Sequence, residues 1–151
     1  MKTWTLAAAF AGIGAIALAH SGATGIVKER MDLMGDVGKA TKSIGLMIKG
    51  EQPYYAERVA ILARQIAASG GDAMTKLFPK GSIMGPTEAR PEIWTDWQRF
   101  AEMSKALSDR ATALAEGAEN ARDGGANSPK ALFAAMAETC KSCHQDFRIK
   151  K

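Results

Sequence analysis

Apolar residues recur three and four positions apart over four long stretches of the chain, which is the period of an amphipathic helix. No stretch alternates with the two-residue period of a strand. We therefore predict an all-α fold, an antiparallel four-helix bundle joined by mostly short loops. The predicted helices cover about residues 26–49, 54–69, 87–119 and 129–148, with another turn or two near 72–77.

Two of these helices show the predicted inward face most clearly. In the third helix a serine is tolerated there, because its hydroxyl can bond to a carbonyl one turn earlier. The first helix also contains Gly35, Gly38 and Gly45, each of which lowers the stability of the helix by about 1 kcal/mol. Glycines beside such a stripe predict that a bulky group packs close to the backbone. The two stripes are Met34, Val37, Thr41, Ile44 and Ile48, and Ile93, Trp97, Phe100, Ser104, Leu107, Ala111 and Leu114.

The first 19 residues have the pattern of a secretory signal peptide. Lys2 supplies a basic start, an uncharged apolar run continues to Ala19, and Ala17-Leu18-Ala19 fits a cleavage site. The run is short for a membrane span, although an uncleaved anchor is the alternative. We expect cleavage after Ala19 and export of a domain of residues 20–151 to the periplasm, with no membrane span in the mature chain.

Charge argues against nucleic acid as a partner. The formal net charge of the 151-residue chain is +4, and it falls when Lys2 leaves with the signal peptide. No run of like charges resembles a polyanion-binding tail. Hydrophobic residues make up 46% of the chain, which is ordinary for one globular domain.

The motif with the clearest chemistry is Cys140-Lys141-Ser142-Cys143-His144, a C-x-x-C-H sequence of the kind that attaches haem c. Residues three apart share a helix face, so both sulfurs can reach the two vinyl groups on one haem edge. His144 follows directly and can offer its imidazole to the iron. We therefore predict one covalent haem c.

Three other readings of the cysteine pair explain less. Zinc needs more ligands, and the only other histidine is His20, at the start of the mature chain. A thioredoxin-like pair expects a βαβ context in which it opens a helix, whereas this pair lies near the end of the last helix. A disulfide fits an oxidising compartment but gives no role to His144.

With this motif at the C-terminal end of four helices, the chain resembles the class II cytochromes c, the family of cytochrome c-prime and its low-spin relatives. The resemblance extends over essentially the whole mature chain. It implies an antiparallel bundle with haem between the helices near one end, often as a dimer. The matching stretches are residues 28–34, 49–51, 77–79, 93–94 and 140–148.

The resemblance also implies which residues lie on the face of the haem opposite His144. Counted back from residues 49–51, the family's distal position falls on Met34, and Arg30 matches an arginine that often lies close to the haem. In cytochromes c-prime the sixth iron position is vacant and binds small gases such as nitric oxide. In the low-spin members a methionine of the first helix closes it.

The residues by themselves leave this ligand open. Bis-histidine ligation is disfavoured by the position of His20, and methionine is the next common choice. Met34 is inward and near the glycines, while Met31 is a rival one turn earlier. Met34 can equally be an ordinary core methionine, as methionines on amphipathic helices usually are.

Two further residues are candidates for the haem pocket. Trp97, with Trp94 and Phe100, is expected in the core and against the haem. Arg148 follows His144 by four residues and is placed to contact the proximal side, or else is a solvated cation at the helix end.

These features predict a periplasmic, non-enzymatic electron carrier with His144 and Met34 as axial ligands and redox proteins as partners. The alternative is a five-coordinate cytochrome c-prime that binds nitric oxide or carbon monoxide. A peroxidase is a weaker third reading, because no distal histidine is available.

Overall fold

The computed structural model describes residues 22–120 and 125–149, which form a helical bundle without a strand. The expected signal peptide and its cleavage point lie outside the described residues. Its four long helices confirm the predicted all-α four-helix bundle. The helices are α1 Gly25–Ile48, α2 Ala56–Ser69, α3 Asp72–Thr75, α4 Glu92–Thr95, α5 Trp97–Glu119 and α6 Pro129–Phe147. In the part of the chain that the structure describes, no helix combines the length and apolarity that crossing a membrane requires.

Helices α5 and α6 run antiparallel in a constant register. Arg110 Nη1 donates to the carbonyl of Ala135 at 2.6 Å, and Arg99 Nη2 donates to Asp146 at 2.6 Å. Arg99 lies as far before Arg110 along α5 as Asp146 lies after Ala135 along α6. Each residue adds the same rise of about 1.5 Å in both helices, so the two axes stay aligned over this length.

Helices α2 and α5 are joined closely at the end of α2. Gly70 lies so near α5 that a Cβ there would be 2.9 Å from the carbonyl oxygen of Ser104 and from the amide nitrogen of Ser108. The Ser104 hydroxyl donates to Gly71 O at 3.1 Å, and Ser104 O accepts from Gly71 N at 3.0 Å. Ser104 therefore bonds across two helices, and not to its own preceding turn as expected, because the glycines let the backbones approach.

The predicted third helix is divided in two. Asp96 adopts φ −124° and ψ 51°, which separates the short α4 from α5. Aspartate favours such conformations, since its carboxylate competes for backbone partners. The break coincides with the departure of Trp97 from the predicted inward stripe: its side chain is 42% exposed, so the expected core position is wrong.

The core runs along the axis of the bundle, and its largest fully buried side chains include Ile44, Ile66, Leu114 and Met136. Helix α6 begins as predicted: Ser128 Oγ accepts from the Ala131 amide at 3.3 Å, with a proline in the first turn. Helix α1 packs mainly on α2 and only sparsely on α6. The α1–α6 side is therefore the least tightly packed side of the bundle.

Candidate functional site

Both cysteines lie on α6 near its C-terminal end. Cys140 and Cys143 are one turn apart, half-buried, and packed against the core. Both are free thiols, and Cys140 Sγ contacts the Met136 carbonyl at 3.6 Å. Their spacing places the two sulfur atoms on one side of α6, as the sequence predicted.

The surroundings of these thiols keep them protonated. Burial raises the pKa of Cys140. Burial, together with Cys140 and Asp146, raises the pKa of Cys143 to about 11. A thiol-redox pair requires the opposite, a site that stabilises the thiolate. The raised pKa values of both thiols therefore argue against a thiol-redox pair.

His144 follows on the last turns of α6 with its side chain partly exposed. Partial burial lowers the pKa of the imidazole, and the charge of Arg148 lowers it further. The lowered pKa favours the neutral imidazole, the form whose unprotonated nitrogen can bind a metal. Among the described residues, no three His, Cys, Asp or Glu side chains gather into a metal-binding group.

Arg148 lies one turn beyond His144, where the chain has left the helix. Its amide donates to His144 O at 3.2 Å, and its guanidinium pairs with Glu88 at 2.6 Å. An isolated antiparallel bridge also joins Ala89 to Arg148. Arg148 thus lies on the His144 side of the bundle end, held by the segment that precedes α4.

The register between α1 and α6 follows from one contact. A Cβ at Gly45 would lie 3.3 Å from Phe133 Cζ, so this turn of α1 is level with the ring of Phe133. The order of packing makes α1 and α6 antiparallel, since each neighbour in the series α1, α2, α5, α6 reverses direction. Met34 precedes Gly45 by as many positions as His144 follows Phe133. At about 1.5 Å per residue in both helices, Met34 lies level with His144.

Part of α1 at the level of the cysteines is open. By the same register Gly38 is level with Cys140, yet nothing lies within 4 Å of a Cβ placed on Gly38, which is exposed. Gly35 is equally open, while Gly45 is covered by Phe133. Open space therefore adjoins this part of α1 at the level of the C-x-x-C-H turn of α6.

Arg30, one turn before Met34, is a buried cation with an incomplete set of partners. It is 5% exposed, and burial lowers the pKa of its guanidinium. Nε donates to Leu77 O at 2.6 Å, Nη2 donates to Ser82 O at 2.6 Å, and the group lies 4.5 Å from the centre of the Phe78 ring. Nη1 is buried without a hydrogen-bond partner. A buried, partly satisfied cation such as this one favours an anionic group beside it.

The described methionines differ in how deeply their side chains are buried. Met47, Met74 and Met136 are buried in the core, and Met84 is 81% exposed on a loop. The remaining described ones, Met31, Met34 and Met103, are half-buried. In the α1–α6 register Met34 is level with His144 and Met31 lies one turn further towards the start of α1. In the α5–α6 register Met103 lies within two residues of the level of His144.

Trp97 belongs to an aromatic cluster that includes Phe100, Phe78 and Phe147. Its ring packs on Phe100 at 5.6 Å between centroids, and Phe100 contacts Phe78 at 4.8 Å and Phe147 at 5.4 Å. The cluster joins Arg30, through Phe78, to the turn that follows His144. Ser82 and Glu88 were not singled out from the sequence, because their partners are 52 and 60 residues away along the chain.

Comparison with known proteins identifies the class of molecule. The family model described as cytochrome C' matches residues 25–148. A cytochrome c-556 from Agrobacterium tumefaciens is 37% identical over 124 residues, covering 81% of this chain and 93% of its own. The structure of cytochrome c' from Rhodopseudomonas palustris is 33% identical, with a TM-score of 0.74 over 85% of this chain and 99% of its own. A nitric oxide complex of a cytochrome c prime variant from Alcaligenes xylosoxidans is 26% identical, with a TM-score of 0.68 over 83% and 94%.

A helical bundle with a C-x-x-C-H turn at its end defines a c-type cytochrome. The chain belongs to the cytochrome c' family, the class II cytochromes c. The cofactor is accordingly covalently bound haem c. The open space beside α1, the lowered pKa of the His144 imidazole and the unpartnered Nη1 of Arg30 all fit this group.

Proposed function

We propose that this protein is an exported electron carrier whose haem is attached through Cys140 and Cys143 and ligated by His144 and Met34. The observation that carries the proposal is the level position of Met34 on α1 and His144 on α6. A methionine there closes the sixth iron position, which suits electron transfer better than gas binding. Export to the periplasm would follow from a leader that ends at Ala19.

Each of the site residues has a separate role in the proposed function. The two sulfurs hold the cofactor so that it stays attached when an axial bond breaks. His144 and Met34 would supply the two protein ligands of the iron. Arg30 Nη1 would donate to an anionic group of the cofactor, such as a propionate, and so complete its hydrogen bonds.

The bound cofactor supplies an iron that alternates between the ferric and ferrous states. The surrounding residues set how readily it does so. A neutral thioether sulfur from Met34 and the nearby charge of Arg30 both favour the ferrous state and raise the reduction potential.

A second function, gas binding at an open distal position, has one observation in its favour. Gly35 and Gly38 leave open space beside Met34, into which a small ligand could enter. The related protein from Alcaligenes xylosoxidans is described as a nitric oxide complex. In this alternative Met34 lines the distal pocket without a bond to iron. Assembly as a homodimer is compatible with either function.

Visible spectra of the oxidised and dithionite-reduced protein, before and after addition of carbon monoxide, distinguish the two. The proposal predicts low-spin bands that carbon monoxide leaves unchanged, because a closed sixth position offers it no site. A high-spin spectrum that shifts at once on addition of carbon monoxide would establish the gas-binding alternative.

Two matched variants locate the ligand. Met34→Ala is expected to become high-spin and to bind carbon monoxide, whereas Met31→Ala, one turn away, is expected to keep the low-spin spectrum. The opposite pattern would move the ligand one turn towards the start of α1.

A further inference from the structure

The connection between α3 and α4 presents exposed apolar and basic side chains together. Met84 is 81% exposed and Ile83 is 39% exposed, and Lys76 and Lys80 are exposed a few residues earlier in the chain. We call Lys76, Lys80, Ile83 and Met84 the loop face. Exposed apolar residues grouped in this way mark contact surfaces more often than chance exposure does, and methionine suits surfaces that accept different partners.

Hydrogen bonds on both sides hold the connection that carries the loop face in place. Ser82 N donates to Pro79 O at 3.1 Å, and the Ser82 hydroxyl also donates to Pro79 O, at 2.6 Å. Arg30 binds Ser82 from α1. On the other side Trp94 Nε1 donates to Phe78 O at 3.0 Å. A partner therefore meets a preformed surface and loses little entropy in ordering it.

The same connection spans the end of the bundle where the proposed iron ligands lie. Through Ser82 it contacts Arg30, one turn from Met34. Through Arg90 N it donates to Phe147 O at 3.0 Å, close after His144 on the same helix. Each contact is about one helical turn from a proposed ligand. The connection that carries the loop face therefore contacts both helices about one turn from the proposed ligands.

The charge of the loop face has one sign. Residues 76–86 include two lysines and no acidic residue. Neither lysine forms an ion pair with another described residue, whereas Glu88 and Glu92, just beyond, are paired with Arg148 and Arg90. Lys76 and Lys80 also line one surface depression of about 390 Å³, together with Trp94 and Trp97. A partner with carboxylates around an apolar contact point complements this arrangement.

We propose that the loop face, Lys76, Lys80, Ile83 and Met84, is the docking surface for an acidic redox protein that exchanges electrons with the haem. This proposal rests on the proposed function. The lysines at the rim accelerate association, and Ile83 and Met84 make the short-lived apolar contact. A small, weak interface of this kind is typical of electron-transfer partners.

Stopped-flow oxidation of the ferrous holoprotein by plastocyanin, a small acidic copper protein, tests the proposal. The double variant Lys76→Gln/Lys80→Gln is expected to lower the second-order rate constant about fivefold at low ionic strength, with the difference vanishing at high salt. Lys130→Gln is the matched control, since Lys130 is an exposed lysine at the opposite end of α6. Met84→Gln is expected to lower the rate at every salt concentration, because it removes apolar contact and no charge.

The outcomes separate this proposal from the proposed function. A purified protein without attached haem overturns both. Normal haem spectra with unchanged rates in the double variant, or an equal loss in Lys130→Gln, overturn the docking surface alone. Cosedimentation with phosphatidylglycerol vesicles that the double variant abolishes, with plastocyanin rates unaffected, would assign the loop face to a membrane and also overturn it.

Discussion

The ring of Phe133 on α6 covers Gly45 on α1, so that a Cβ on this glycine would lie 3.3 Å from Phe133 Cζ. This contact joins the two helices at one level and fixes their register. Towards the other end of the bundle, the same register brings Met34 level with His144. Between these levels Gly38 faces open space. The proposed haem site depends on this opening.

The tight contact between α2 and α5 predicts that Gly70→Ala is strongly destabilising. The new methyl group would lie 2.9 Å from backbone atoms of Ser104 and Ser108, which cannot move aside as a flexible side chain can. The expected loss is about 2 to 3 kcal/mol of unfolding free energy, measured by urea denaturation of the haem-free protein.

Gly38→Ala is the matched control for that substitution. Nothing lies within 4 Å of its added methyl group, so in haem-free protein it should gain about 1 kcal/mol from helix propensity. Equal and small effects at Gly38 and Gly70 would contradict the packing of α2 on α5 described above.

Arg30→Met should lower both the free energy of unfolding and the midpoint potential of the haem. The substitution leaves Leu77 O and both oxygens of Ser82 without their charged donor, at a cost of about 2 to 3 kcal/mol. Loss of a buried positive charge near the iron also favours the ferric state, so the midpoint potential should fall.

Chemical denaturation and potentiometric titration measure the two effects of Arg30→Met. Lys28→Met is the control, since Lys28 lies on the exposed surface of the same helix and pairs with Asp32. An unchanged midpoint potential in Arg30→Met would separate Arg30 from the haem and leave it a purely structural role.

Ser128→Ala removes the hydrogen bond that begins α6. The hydroxyl accepts from Ala131 N at 3.3 Å, and loss of such a cap costs about 1 kcal/mol. Thermal unfolding of the holoprotein should show the loss, and Ser128→Asp should restore most of it, because a carboxylate also accepts from the first-turn amides. If Ser128→Asp is no more stable than Ser128→Ala, the hydroxyl does not act as a cap.

The helices could be predicted from the sequence because their signals are local. The apolar period located α1, α2 and α6 closely, and Ser128 marked the start of α6. The break at Asp96 was missed, since its neighbours fit a helical pattern and only the backbone geometry reveals it. Its consequence, the exposure of Trp97, was missed with it.

The candidate site also has parts that the local sequence predicts and parts that only the fold brings together. The C-x-x-C-H turn is contiguous and can be read directly from the chain. The partners of Arg30 cannot, since Leu77 and Ser82 are 47 and 52 residues away and are reached only through the fold. The family pattern identified Met34 as a candidate, but its level with His144 depends on the packing of Phe133 against Gly45.

The proton NMR spectrum of the ferrous protein tests whether Met34 is the iron ligand proposed opposite His144. A methionine methyl group held over the haem lies in the porphyrin ring current, which moves its three-proton resonance far upfield. Ligation by Met34 predicts one such resonance, present in Met31→Ala and absent from Met34→Ala. A ferrous protein without any upfield methyl resonance, or one that keeps it in Met34→Ala, would show that Met34 is not the ligand.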